Sequence, residues 1–295
     1  MPKQSTATAL AGRLTEALEH SDILDRPAQI LAARVRRLTG QGKFKDLISG
    51  TSLGHPAHPP LTDLVIGAFV SASLLDLLAP RAGADMANRL TAVGIAAYAP
   101  TAITGISDWA DTELSDEPSR RVGLVHAAAN SSALLMYGAS LMNRRRGRRL
   151  RAVLLSLGGT ATLGLGGYLG GHLAYTRGVG VNQNAFDPGP DGWTSVLDST
   201  ELTDGRLHAV DADGTPVLLV RYAGRVWAIH DRCGHRGCPL SNGELDGTVV
   251  TCACHGSRFD MCDGTLLRGP ATGNQPAMRC REVDGRIEVR RLDLR

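Results

Sequence analysis

Two short motifs near the C-terminal end of the chain are its most informative sequence, Cys233-Gly234-His235 and Cys252-Ala253-Cys254-His255. Each motif supplies one thiolate and one imidazole, a set that can hold a [2Fe–2S] cluster with two cysteines on one iron and two histidines on the other. Neutral imidazoles make such a cluster less negative and raise its reduction potential. The alternative is a tetrahedral, redox-inactive zinc site. Zinc sites usually pair cysteine with cysteine and histidine with histidine, so the mixed motifs favour the cluster.

The residues around these motifs extend the pattern. Residues 233–243 read CGHRGCPLSNG and residues 252–260 read CACHGSRFD, followed by Gly264 and by Arg268-Gly269-Pro270-Ala271. On these residues the chain resembles the Rieske iron–sulfur family from about Trp193 to Arg295. The resemblance implies a small antiparallel β structure with the cluster at the tip of two loops.

The resemblance also implies a role for each ligand. Cys233 and Cys252 would bind the inner iron, and His235 and His255 would bind the outer, solvent-facing iron. The loop that contains Pro270 would cover the cluster.

Two further cysteines, Cys238 and Cys254, lie beside the ligands, one in each motif. In Rieske proteins of cytochrome bc-type complexes, cysteines at these positions form a disulfide, whereas ferredoxin-type Rieske domains generally lack it. We expect the disulfide here. The alternative is a pair of unpaired buried thiols, because free cysteine often acts as a small core residue.

Two residues near the second motif bear on the reduction potential. Ser257 matches the serine that donates a hydrogen bond to a cluster sulfur in high-potential members of the family. Phe259 stands where those members carry a tyrosine, so one hydroxyl donor is lost, and we expect an intermediate potential. The remaining cysteines, Cys262 and Cys280, are interpreted as structural thiols.

Local sequence patterns agree with a β fold in this region. Pro216–Tyr222 and Arg225–Ile229 are short apolar runs separated by the turn pair Ala223-Gly224. Arg286–Leu292 alternates apolar and polar residues directly after the turn pair Asp284-Gly285. These patterns predict two hairpins.

The first 176 residues have a different composition, without cysteine and rich in Ala, Leu and Gly. A bilayer core of about 30 Å requires about 20 apolar residues in a helix. A soluble four-helix bundle is the alternative, but its helices would carry charged outer faces. We predict four transmembrane helices, from four apolar stretches: Thr62–Ala79, Leu90–Ile106, Val122–Met142 and Ala152–Thr176.

This half resembles a bacterial membrane-domain family of uncharacterised function that is often fused to Rieske ferredoxins. The resemblance rests on residues 54–59 (GHPAHP), 61–67 (LTDLVIG), 104–109 (TGISDW), 121–126 (RVGLVH) and 170–175 (GGHLAY). The predicted fold is therefore multi-domain, a helical four-helix transmembrane bundle followed by an all-β Rieske domain. The predicted parts are surface helices (1–50), the membrane domain (51–177), a mobile Gly-, Asn- and Pro-rich linker (178–192) and the Rieske domain (193–295).

Histidines in the membrane half raise a second cofactor hypothesis. Ionisable groups within a membrane are costly and often functional. His126 and His172 could ligate a haem b, with Gly166 and Gly170 clearing space for it or for close helix packing. Structural hydrogen bonds, for example to Asp63, Asp76 or Asp108, are the favoured alternative.

Charge in the loops predicts the orientation of the chain. The loop at 143–151 carries six arginines, and the positive-inside rule places this loop in the cytoplasm and both termini outside. We therefore expect a multi-pass cell-membrane protein with its Rieske domain on the extracytoplasmic side. The arginines at 34, 36 and 37 favour the opposite orientation.

These features predict a membrane-anchored electron-transfer protein, a component of an oxidoreductase system rather than a self-contained enzyme. The expected partner is a redox protein or a membrane quinol. The sequence shows neither a second iron site of the two-histidine, one-carboxylate kind nor a nucleotide-binding glycine motif. A quinol-oxidising subunit and a redox sensor are the alternatives. The net charge of +3 is too small to suggest nucleic-acid binding.

Overall fold

A computed structural model describes residues 6–112 and 116–292, with side chains from residue 12 onward. The chain divides into two compact units. The helical unit contains the chain up to Leu38 together with Ala57–Val179. The β-rich unit contains Thr39–Pro56 together with Gly180–Arg295. Helices come first and strands second, as the sequence predicted.

The division differs from the predicted parts at two places. Residues 39–50 were expected among the N-terminal surface helices, but Thr39–Pro56 belongs to the β-rich unit. Residues 178–192 were expected to form a linker, but the β-rich unit begins at Gly180. In both places polar side chains contact the loops of the β-rich unit, as described below.

In the described part of the helical unit, two shorter helices are followed along the chain by four long ones. One turn of π-helix, His172–Thr176, extends the last helix. The helices are α1 (Thr6–Glu19), α2 (Asp25–Thr39, whose last residue lies in the β-rich unit), α4 (His58–Leu78), α5 (Ala84–Ala110), α6 (Glu117–Arg145) and α7 (Arg149–Gly171).

The long helices begin and end at residues typical of helix termini. Prolines follow directly after the first residue of α4 and α6, where a missing N–H costs nothing. The Asp116 carboxylate accepts a hydrogen bond from the Ser119 backbone N–H and caps α6. Gly147 takes a positive φ of 70° in the tight turn before α7.

An aromatic pair lies at the centre of the helical unit. The rings of Phe69 in α4 and Tyr137 in α6 are stacked with their centroids 3.9 Å apart, and both residues are fully buried. Gly94 and Gly159 lie against these rings, because a β-carbon at either position would come closer than normal contact distance to ring atoms. Small residues therefore let the helices approach.

Three helices are long and apolar enough to cross a membrane, namely His58–Leu78, Ala84–Ala110 and Arg149–Thr176. Among the described residues α6 does not reach the same hydropathy, although it includes the predicted span Val122–Met142. Its uncharged stretch contains many Ala, Ser, Gly and Asn residues, which lower the average. Large apolar side chains point outward from these helices, among them Leu64, Leu74, Ile103, Leu135 and Leu154, as expected for surfaces that face lipid.

The β-rich unit contains ten strands and the short helix α3 (Lys43–Ser49). The strands are β1 (Thr194–Asp198), β2 (His208–Ala212), β3 (Thr215–Tyr222), β4 (Arg225–His230), β5 (Glu244–Asp246), β6 (Val249–Thr251), β7 (Arg258–Asp260), β8 (Leu266–Arg268), β9 (Ala277–Val283) and β10 (Arg286–Arg291). They form a six-stranded antiparallel sheet in the order β1-β10-β9-β4-β3-β2 and a four-stranded one in the order β5-β6-β7-β8.

Both predicted hairpins are confirmed. The β3–β4 turn contains Ala223 and Gly224, with φ values of 51° and 74°, and pairs Tyr222 with Arg225. The β9–β10 turn contains Asp284 and Gly285, with φ values of 49° and 77°. Two consecutive positive φ values match the twist of the flanking strands, which is why these residue pairs favour tight hairpins.

Candidate metal centre

The two motifs fold into two loops with the same backbone hydrogen bonds. In the first loop, the Cys233 N–H donates to the Cys238 carbonyl and the Gly237 N–H donates to the Cys233 carbonyl, each at 2.8 Å. In the second loop, the Cys252 N–H donates to Ser257 at 2.8 Å and the Gly256 N–H donates to Cys252 at 3.0 Å. Gly237 and Gly256 have φ values of 77° and 78°. The shared glycine therefore allows both loops to turn in the same way.

The thiols of Cys233 and Cys252 meet in the core of the β-rich unit. They are 1% and 2% exposed, and they pack with Phe259, Met261 and Leu240. The two thiols hydrogen-bond each other, and the backbone N–H groups of His235 and Arg236 donate to the Cys233 sulfur. The hydrogen bond with Cys252 and burial raise the pKa of the Cys233 thiol well above its ordinary value.

The imidazoles of His235 and His255 lie side by side. Their ring centroids are 5.0 Å apart and the ring planes are nearly perpendicular. Burial, followed by the charges of His255, Arg236 and Lys45, lowers the pKa of His235 well below its ordinary value. A neutral imidazole is the form that binds metal. Both histidines are half-buried, and each remains partly exposed to solvent.

A disulfide joins the two loops. The sulfurs of Cys238 and Cys254 are bonded, and their Cα atoms lie 6.5 Å apart. The Cys252 sulfur lies within 4.8 Å of both. Because the bridged sulfurs cannot serve as thiolates, Cys252 is the one member of this group that can bind a metal ion.

Cys262 and Cys280 lie outside this centre. Both are half-buried and carry free thiols. Burial, with a hydrogen bond to Asp260, raises the pKa of Cys262. Burial raises the pKa of Cys280 to about 12. Neutral, partly covered thiols of this kind are poor nucleophiles and poor metal ligands, which agrees with the structural interpretation.

The three residues expected around the cluster lie at the same end of the unit. The Ser257 hydroxyl oxygen accepts a hydrogen bond from the Ala271 N–H at 3.0 Å, which leaves its own hydrogen to be donated. The Phe259 ring is fully buried in the core cluster that contains both thiols. Pro270 is buried between Gly269 and Ala271. Ser257 therefore ties the proline-bearing loop to the second ligand loop.

Sequence reasoning missed one residue that organises the first ligand loop. Gln275 is 2% exposed, and its amide oxygen accepts hydrogen bonds from the Gly234 N–H at 2.9 Å and from Asn184 at 3.0 Å. Its amide nitrogen donates to the carbonyls of His230 and Arg232 at 3.1 and 2.8 Å. A single buried amide has no sequence signature, so no pattern could have identified it.

The predicted linker also contacts the first ligand loop. The Gln183 N–H donates to the Gly234 carbonyl at 3.0 Å, and Asn184 is buried. Asp187 accepts hydrogen bonds from Thr215 at 2.7 Å and from His230 at 3.0 Å. Burial acts to raise the pKa of Asp187, but these hydrogen bonds and the charge of His230 hold it below the ordinary value. Gln183, Asn184 and Asp187 are thus hydrogen-bonded parts of the β-rich unit, whereas Ala185 and Phe186 between them are exposed.

The two candidate haem ligands in the helical unit have other hydrogen-bond partners. His126 Nδ1 lies 2.8 Å from the Gly166 carbonyl oxygen, and His172 Nε2 lies 2.8 Å from Glu19. A β-carbon on Gly170 would lie 3.0 Å from the His126 ring. Gly170 therefore makes room for an imidazole of this chain, whereas a β-carbon on Gly166 would meet the Asn130 side chain. Asp76, one of the suggested aspartate partners, pairs with Arg144.

The donor set at the two ligand loops fits a [2Fe–2S] cluster. Two buried thiols lie together, two imidazoles lie together, and the disulfide, Ser257 and Gln275 hold the loops that carry them. Thiolates need a cation to remain charged when buried, and iron supplies that charge. The backbone N–H groups directed at the Cys233 sulfur would favour the reduced state by stabilising negative charge.

Known families match both units. The family described as "Rieske [2Fe-2S] domain" matches residues 192–282. The family described as "Predicted membrane protein (DUF2231)" matches residues 54–183. Together with the three apolar helices, the second match identifies the chain as a membrane protein.

Several relatives of the Rieske domain are ferredoxins. Ferredoxin CarAc of Metapseudomonas resinovorans is 32% identical over 81 residues, which cover 27% of this chain and 76% of the relative. The naphthalene 1,2-dioxygenase ferredoxin component of Pseudomonas aeruginosa is 30% identical over 82 residues, 28% of this chain and 79% of the relative.

A solved structure is also similar to this part of the chain. The ferredoxin of carbazole 1,9a-dioxygenase from Nocardioides aromaticivorans IC177 shares 26% identity and a TM-score of 0.33, covering 34% of this chain and 98% of that one. The two ferredoxin relatives, which are 32% and 30% identical and are covered over more than two thirds of their length, show that the chain belongs to the Rieske [2Fe–2S] family, and its cofactor is a [2Fe–2S] cluster.

Proposed function

We propose that this protein is a membrane-anchored Rieske electron carrier in which Cys233 and Cys252 bind one iron and His235 and His255 bind the other. The observation that carries the proposal is the pairing of like donors from two matching loops, thiol with thiol and imidazole with imidazole. A cluster held by these residues supplies one-electron transfer.

The residues around the donors each have a part in that function. Cys233 and Cys252 hold negative charge in the apolar core, where Phe259 and Leu240 exclude water. His235 and His255 form the more accessible side of the site, which is where an electron would enter or leave. The Cys238–Cys254 disulfide holds the two loops at a fixed separation, so the site need not rearrange when its charge changes.

The membrane part of the proposal is a multi-pass anchor with the Rieske domain on the extracytoplasmic side. The arginine-rich turn between α6 and α7 supports this orientation by the positive-inside rule. The disulfide supports it as well, because disulfides persist in oxidising compartments and are rare in the cytosol. A C-terminal alkaline phosphatase fusion should be active, and a C-terminal fluorescent-protein fusion that matures only in the cytoplasm should stay dark.

The ligand assignment is tested by single replacements in the full-length protein. We expect Cys233→Ser, His235→Ala, Cys252→Ser and His255→Ala each to abolish the rhombic Rieske EPR signal. His208→Ala, in a strand away from the ligand loops, is the control and should retain the signal. A full signal in His255→Ala would refute the assignment.

The redox partner is proposed by class. The relatives are ferredoxin components of dioxygenase systems, and such a carrier would exchange electrons with a partner protein. Quinol oxidation is the alternative, in which an exposed ligand histidine takes a quinol proton as the electron leaves. Reduction of the purified protein by a short-chain quinol, faster than by a soluble ferredoxin reductase, would favour that alternative.

A further inference from the structure

A short segment that precedes the membrane helices belongs to the β-rich unit and lies at its ligand loops. The segment runs from Gln41 to Thr51 and includes helix α3. It contacts the second ligand loop and the proline-bearing loop, and it contains a buried lysine. No sequence feature of the segment suggested this position.

The contact with the second ligand loop is made at Gly256, next to His255. A β-carbon on Gly256 would lie 2.8 Å from the Gln41 Oε1 atom and 2.9 Å from its Cδ. Gly256 is buried and has a φ of 78°. The Gln41 side chain therefore lies directly on the backbone turn that carries His255.

The contact with the proline-bearing loop is made through Thr51. Its hydroxyl donates to the Ala271 carbonyl at 3.2 Å. A β-carbon on Gly269 would overlap the Thr51 hydroxyl oxygen and would lie 3.1 Å from Asp46 Oδ1. The absence of a side chain at Gly269 is therefore what admits the segment to this loop.

The same segment buries a cation. Lys45 in α3 is 4% exposed, which is unusual for lysine. Its neighbour Lys43 on the same helix is exposed.

We propose that residues 41–51 form an intramolecular cover over the histidine-bearing side of the cluster site, occupying the surface that a soluble redox protein would need to contact. Half-burial of both His235 and His255 agrees with this cover. The proposal rests on the proposed electron-carrier function. Release of the segment exposes the site, so the cover limits exchange with soluble proteins.

The test displaces the cover by a substitution within the segment itself. Thr51→Arg cannot fit against Gly269, so it should displace the segment while leaving every residue of the ligand loops unchanged. Ser52→Arg adds the same charge at the next, exposed position and is the matched control. The full-length protein is reduced with dithionite and mixed with ferric cytochrome c. The reduced site then loses one electron, and the ferric haem of the added protein becomes ferrous.

We expect the second-order rate constant for cytochrome c reduction to rise at least tenfold in Thr51→Arg and to stay within twofold of wild type in Ser52→Arg. Hydrogen exchange should show protected amides at 43–49 in wild type and loss of that protection in Thr51→Arg. If hydrogen exchange shows that the segment is released in Thr51→Arg, but cytochrome c is reduced at the wild-type rate, the proposal is overturned. Fast exchange of these amides in wild type would overturn it as well.

Failure of the cover is distinguishable from failure of the electron-carrier function. The Rieske EPR signal and the measured midpoint potential report the loaded site, whereas the rate and the amide exchange report the cover. If Thr51→Arg does not accumulate, Thr51→Val replaces the hydroxyl by a methyl group and removes the hydrogen bond to Ala271, with Ser52→Ala as its control. That milder change should raise the rate about threefold, and an unchanged rate in a loaded variant counts against the cover.

Discussion

The disulfide between Cys238 and Cys254 should contribute a large part of the stability of the ligand loops. The test replaces both cysteines by serine. A single Cys238→Ser change would leave a free Cys254 thiol within 4.8 Å of Cys252, where it could exchange or bind iron. The double variant avoids that complication and removes only the cross-link.

The sequence separation of the bridge sets the expected size of the effect. The bridged residues lie 16 positions apart. Closing a loop of this length in the unfolded chain corresponds to about 3 kcal/mol at 25 °C in the chain-entropy treatment. Small domains are stable by only about 5–15 kcal/mol. The unfolding equilibrium constant of the β-rich unit should therefore rise about a hundredfold, since each tenfold change corresponds to about 1.4 kcal/mol.

The assay is loss of the visible cluster absorption during urea titration of the full-length protein in detergent. Cys262→Ser is the control, because it removes a half-buried cysteine that forms no bridge. A reductant should destabilise wild type as much as the double variant and should have no further effect on the latter. A double variant within about 0.5 kcal/mol of the control would refute the reasoning, as would alkylation of both thiols in the native protein.

Three more changes test other parts of the site. Phe259→Tyr should raise the reduction potential in an EPR-monitored titration, because a hydroxyl donor near a ligand sulfur stabilises the reduced state; an unchanged or lower potential would mean that the hydroxyl points elsewhere. Gln275→Leu leaves the Gly234 N–H and two buried carbonyls without their hydrogen-bond partner, at a cost of about 1–3 kcal/mol each. The cluster should therefore be lost faster than in the control Asn274→Leu at an exposed position. Equal rates of cluster loss would contradict this role of Gln275. Asp187 has a lowered pKa in the folded state, so its contribution to stability is present above the unfolded pKa of about 4 and disappears as pH falls through the folded value. Asp187→Asn should therefore flatten the acid side of the stability curve, and a variant curve that matches wild type would exclude the role.

The sequence was most informative where chemistry or backbone geometry restricts the residue type. Tight hairpins require positive φ values, so Ala223-Gly224 and Asp284-Gly285 marked both turns correctly. Clusters require thiolates and imidazoles, so the ligand loops could be located from the spacing of four residues. The apolar stretches predicted long helices for the same reason, since a bilayer excludes charge over about 20 residues.

The sequence was least informative where a long-range contact between ordinary polar residues decides the structure. Gln275 and Asn184 are separated by 91 positions and meet beneath the first ligand loop. Residues 183–187 have the composition of a linker, yet their backbone and side-chain hydrogen bonds make them part of the β-rich unit. Composition reports average flexibility, whereas these contacts depend on single donors and acceptors that only the fold brings together.

Buried polar groups in the helical unit also depend on a contact between residues that are far apart in the sequence. Asp76 lies near the end of α4 and Arg144 near the end of α6, and they form an ion pair in which both side chains are nearly inaccessible. Arg144 also donates to the hydroxyls of Ser140 and Ser156. An isolated buried charge is costly, but a paired and hydrogen-bonded one is tolerated. Asp76 is a charge inside the predicted span Thr62–Ala79, and its pairing with Arg144 links α4 to α6 across 68 positions.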